Sequence, residues 1–136
     1  MNNKILEEVI EKIRLERKVG FNKTYELVDK LIEEYGEANI VECLCRDIKL
    51  EWQWELVADL FTILIWSLND ATAISLIETT EQWLLEGSDI RKIKIALHLD
   101  VFPFSKKEQM QTVLSSLAQL YPEISQYCFH LIASRN

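Results

Sequence analysis

Apolar residues recur at helical spacing almost without interruption along this chain, and the residues that break such a pattern are scarce. Ile5, Val9 and Ile13 repeat every fourth position, and Leu6 and Ile10 widen the stripe. A stripe of that width is one face of an amphipathic helix, so residues 3–18 are predicted helical. Only three glycines and two prolines punctuate 136 residues, too few for a sandwich or barrel built on tight turns. Apolar residues make up 49% of the chain, which excludes a disordered polymer and suffices for a core without metal or disulfide. The predicted fold class is all-α, in a single domain over residues 1–136.

The remaining helices follow from their start and stop signals. Gly20 ends the first. Asn22 is the predicted N-cap of a second, with Tyr25, Val28, Leu31, Ile32 and Tyr35 as its buried face and Gly36 as its left-handed stop. A third, over about 38–49, would bury Ile40, Val41, Leu44 and Ile48. The fourth, 52–68, is apolar around nearly all its circumference, as in a helix held between neighbours. Asp70 is the expected cap of a helix to Glu86, and Ser88 or Asp89 of another to Leu99. Ser105 with Glu108 has the spacing of a capping box, and Pro122 suits the first turn of the last helix.

The starts at 70, 88, 105 and 122 imply a helix pair about every 35 residues. That rhythm is similar to an α-hairpin solenoid of the HEAT or tetratricopeptide kind, without the small-residue and aromatic signature of the latter. About eight helices are expected, as antiparallel hairpins in a short HEAT-like stack or an irregular bundle.

Chemical constellations are sparse. Cys43 and Cys45 stand two apart, too tight for a paired zinc motif, and are expected to be small buried side chains. Cys128 and His130 are likewise separated on a helix, and His98 sits in an apolar run. No acid stands three residues before either histidine, and the isolated glycines form no phosphate-cradling loop. No metal, cofactor or catalytic residue is therefore expected. Three cysteines and no uninterrupted apolar leader point to reduced thiols and a cytoplasmic location. The most apolar stretch, 60–69, is half the length of a membrane span.

Charge is the feature above background. The chain carries a net charge of −7, which argues against a general nucleic-acid binder. From Leu50 through Ile90 there is no lysine or arginine, while eight acids and all four tryptophans fall there. Arg91, Lys92, Lys94, Lys106 and Lys107 follow as a small basic flank. In one reading the tryptophans fill the core and the acids solubilise it. In the other, acids beside exposed aromatics form a docking face for a basic protein. The candidate partner-binding residues are Glu51, then Glu55, Asp59, Thr62 and Trp66 on one helix line, and Glu78, Gln82 and Glu86 on the next.

A compact acidic helical chain with this central acidic line resembles the small all-helical immunity proteins of bacterial toxin–immunity systems, including those of contact-dependent growth inhibition. The resemblance implies a non-catalytic inhibitor that binds a toxin domain, often a nuclease, and occludes its active site or substrate groove. An acidic surface suits that task because a nuclease groove is basic. The partner would be a basic protein and the chain a monomer, with neither nucleic acid nor membrane bound. A helical adaptor or homo-oligomeric scaffold, burying the apolar helix 52–68 against a second copy, is the alternative.

Overall fold

The computed structural model describes residues 4–135. The predicted helical start at Asn3 lies outside them. Eight α-helices and one short 3-10 helix account for nearly all secondary structure, and no strand occurs among the described residues. The chain is all-α, as its periodicity requires. No helix is long and apolar enough to cross a membrane among the described residues. Two compact units, Met1–Leu76 and Ile77–Asn136, divide it.

In the first unit, α1 (Lys4–Glu16) and α2 (Asn22–Tyr35) pack along their lengths as a hairpin. α4 (Trp54–Ser67) rests on both of them, and α3 (Ile40–Asp47) packs on α2. A helix seated on both members of a preceding hairpin makes a bundle. Seven of the fourteen α4 residues are buried, including the consecutive run Leu56, Val57 and Ala58. The all-round apolar character of its sequence is spent on this wedging.

Several expected boundaries shift for identifiable reasons. Asn22 is the first residue of α2 and does not cap it; the cap position is Phe21, which offers no acceptor. Glu16, at the end of α1, supplies the acceptor instead. Its Oε1 receives the Thr24 amide at 2.9 Å and the Thr24 hydroxyl at 2.7 Å. Thr24 is consequently buried and Tyr25 exposed, so the buried row is Thr24, Val28, Leu31 and Tyr35. Gly36 does adopt the left-handed φ of 84° expected of it. α3 is short and buries only Ile40 and Leu44, which leaves Val41 and Ile48 half-buried. Cys43 and Cys45 flank Leu44, so they are half-buried and exposed rather than sealed in the core.

The helix α5 (Asp70–Glu86) begins in the first unit and ends in the second. Its cap is Asn69, whose Oδ1 accepts the Thr72 amide at 2.9 Å; Asp70 is already helical. In the second unit, α6 (Ile90–Leu97) is capped by Asp89, which accepts the amides of Arg91 and Lys92. α7 (Lys107–Leu120) packs antiparallel to α8 (Ser125–Ser134), and Pro122 opens the 3-10 turn between them. The predicted capping box of Ser105 and Glu108 does not form. The cap position is Lys106, and the Ser105 carbonyl instead accepts from Arg135 at 3.0 Å. Around Leu84, Ile93, Leu97, Met110, Leu114, Leu117 and Cys128 the second unit has its own core.

Candidate functional site

The eight sequence-selected residues fall into two groups, one in each unit. On the α4 line, Glu51 is exposed and precedes the helix. Glu55, Asp59 and Thr62 are half-buried, and Trp66 is 65% exposed. Asp59 is not a free surface acid: the Arg17 Nε stands 2.7 Å from its Oδ2. Burial raises the Asp59 pKa above the ordinary carboxylate value, and Arg17 only partly offsets that effect. Its negative charge is thus consumed within the bundle. Trp66 is the sole strongly exposed indole, since Trp52, Trp54 and Trp83 are half-buried. The ammonium groups of Lys49 and Lys92 stand over the rings of Trp52 and Trp83 at 5.8 and 5.5 Å.

The α5 line is a better built surface. Glu78, Gln82 and Glu86 are all exposed, one turn apart, and none of their side chains bonds to another described residue. Glu78 and Gln82 line a cleft of about 260 Å³ with Glu81, Leu85, Phe104, Ser105 and Gln109. Leu85 is half exposed at this edge, so an apolar contact lies between acidic groups.

Two side chains hold the far wall of the cleft. Glu81 Oε2 accepts the Phe104 amide at 2.5 Å. Arg135, from the end of α8, donates to the carbonyls of Pro103 and Ser105 at 2.9 and 3.0 Å. Between these ties Phe104 is held at a φ of 65°, a left-handed conformation costly for a residue with a Cβ. Burial of its ring, 5% exposed, offsets that strain. Glu81, Leu85, Phe104 and Arg135 were not selected from sequence. Glu81 and Leu85 could have been, because they share the outward arc of α5 with Glu78 and Gln82. The Phe104 conformation has no sequence signal, since glycine is absent there.

The cysteine and histidine side chains have local structural roles. Burial pushes the Cys128 thiol up to about 11, which keeps it protonated and inert at neutral pH. The His98 ring stacks on Tyr127 with centroids 4.1 Å apart, and its Nδ1 donates to the Lys94 carbonyl at 2.8 Å. Among the described residues no group of three or more histidine, cysteine or acidic side chains could hold a metal ion. Of the basic flank, Lys94 is paired with Glu123 at 3.1 Å.

No family model matches the chain, and no curated protein and no solved structure matches it either. The structure belongs to the all-α class, with an open acidic and apolar cleft between α5, the 104–105 loop and the start of α7.

Proposed function

We propose that this chain is a non-catalytic binding protein that captures a basic protein partner on the outward face of α5. In the mode implied by its resemblance to immunity proteins, the partner is a toxin domain whose active site or groove the chain occludes in the cytoplasm. The observation that carries this reading is the cleft edge formed by Glu78, Gln82 and Leu85, with Glu86 one turn beyond. Carboxylates without intramolecular partners keep their full capacity to accept lysine and arginine hydrogen bonds. They also steer a cationic partner during encounter, while Leu85 supplies desolvated contact. Asp59 leaves the docking set because Arg17 already neutralises it.

The test is genetic and then physical. The C-terminal segment of a neighbouring upstream reading frame is expressed alone and beside this chain. Toxicity alone and growth beside it support the proposal. Protection should be lost with Glu78→Lys plus Glu86→Lys while the helical circular dichroism is retained. A double variant that protects as well as the native chain removes this face from the proposal.

A second reading, self-association as a scaffold, is favoured by Trp66, which is 65% exposed on a helix whose other residues are buried or half-buried. Light scattering separates the two: a stable dimer that Trp66→Ala dissociates supports the scaffold, and a monomer supports the inhibitor.

A further inference from the structure

The first unit contains a cleft of about 460 Å³ at the C-terminal end of α1, lined by Arg14, Leu15, Arg17, Lys18, Gln53 and Leu56. Half of that lining is cationic and none of it acidic, in a chain whose net charge is −7. The volume lies within the range of small-molecule sites. We propose that this cleft binds a small organic anion, a phosphate or carboxylate carried on an apolar body.

Three acids near the cleft are already committed, while Glu55, between the lining residues Gln53 and Leu56, keeps its charge. Glu11 pairs with Arg14, Glu16 accepts from Thr24, and Asp59 pairs with Arg17. Asp59 approaches Arg17 through Nε, which anchors the guanidinium yet leaves the side chain 43% exposed on the cleft. An arginine held in this way loses little freedom when it meets an oxyanion, and its planar fork matches two oxygens. Lys18 forms no bond or ion pair with any described residue, so its ammonium is available as a second, point-like contact. Arg14 contributes long-range field, its charge being shared with Glu11.

Gln53 adds a neutral polar group to the lining. It occupies the cap position of α4, but its side chain makes no capping bond there. The apolar part of the ligand is dictated by Leu15, 58% exposed, and by the buried Leu56, which also lines the cleft. A bare inorganic ion would leave those two unused. The site is independent of the α5 face: it lies on other elements and has the opposite charge.

The experiment is a heteronuclear amide-shift titration of the full chain at low salt with phenyl phosphate, inorganic phosphate and benzoate. The expected result is saturable shifts confined to residues 14–18 and 53–56, with phenyl phosphate binding about tenfold more tightly than inorganic phosphate. Tighter binding of benzoate than of phenyl phosphate assigns the natural group to the carboxylates, and the reverse order assigns it to the phosphates. Lys18→Gln, at an exposed and unpaired position, should weaken the affinity about tenfold with unchanged circular dichroism. Leu15→Ser should abolish the preference for phenyl phosphate. Shifts that rise linearly without saturation, that appear equally at Lys106 and Lys107, or that survive Lys18→Gln unchanged overturn the proposal.

Discussion

The Arg17 guanidinium lies 2.7 Å from the Asp59 carboxylate and ties the residue after α1 to the middle of α4. Each side chain has a different burden. Asp59 is half-buried, and that burial raises its pKa, whereas Arg17 remains substantially in solvent. The pair is therefore better regarded as a buried acid with a solvated counterion than as a surface salt bridge.

That asymmetry gives a pH-dependent prediction. Because the folded-state pKa of Asp59 is raised, its ionisation opposes folding once the pH passes through that value. Asp59→Asn should then be neutral to slightly stabilising at pH 7, by less than about 1 kcal/mol, since solvent can carry the Arg17 charge. The difference should vanish as pH falls below the ordinary aspartate value. Arg17→Ala should instead destabilise by about 1–3 kcal/mol, because the half-buried carboxylate loses its counterion. Urea unfolding of both variants at pH 3 and pH 7 measures these differences.

The Glu16–Thr24 contact predicts the opposite limb. Hydrogen bonds from the Thr24 hydroxyl, foremost, and from its amide hold the Glu16 pKa below the usual value. The associated stability is present above the ordinary glutamate pKa and is lost as pH falls through the lowered one. Glu16→Gln should flatten the acid side of a melting-temperature profile. Thr24→Val, which keeps the shape but removes the hydroxyl, should cost about 1 kcal/mol at neutral pH.

Gly87 is the turn on which the second unit depends locally. It adopts a φ of 63°, and a Cβ there would stand 3.4 Å from the Leu117 side chain. Its carbonyl also accepts the Tyr121 hydroxyl at 2.7 Å. Gly87→Ala should cost about 1–2 kcal/mol in denaturant unfolding through the left-handed conformation. Tyr121→Phe should cost about 1 kcal/mol and leave helicity unchanged.

The strained loop behind the α5 cleft predicts a link between stability and binding. Glu81→Ala removes the acceptor of the Phe104 amide and should destabilise by about 1.5–3 kcal/mol. Glu81→Gln retains an acceptor and should recover part of that loss. Amide exchange at Phe104 should accelerate in the alanine variant relative to the glutamine one. Equal exchange in both would detach Glu81 from the loop.

Periodicity and stop signals were enough to read an all-α chain with helices over 3–18 and opening at Asn22, Asp70 and Ser105, within a few residues of the observed Lys4–Glu16, Asn22–Tyr35, Asp70–Glu86 and Lys107–Leu120, because the 3.6-residue repeat is written locally. The Asp89 cap and the turns at Gly36 and Gly87 are local too, since a short side chain or a left-handed φ acts within a few residues. The outward line Glu78, Gln82 and Glu86 was legible for the same reason: residues four apart share one helix face. Tertiary packing settled what distance along the chain conceals. Glu16 takes over a cap that Asn22 seemed to own, Arg17 claims Asp59 from 42 positions away, and Phe104 is bent between Glu81 and Arg135. A carboxylate looks the same in sequence whether it faces water or a guanidinium; only packing sets its surroundings, and those surroundings determine whether its charge remains available to a partner.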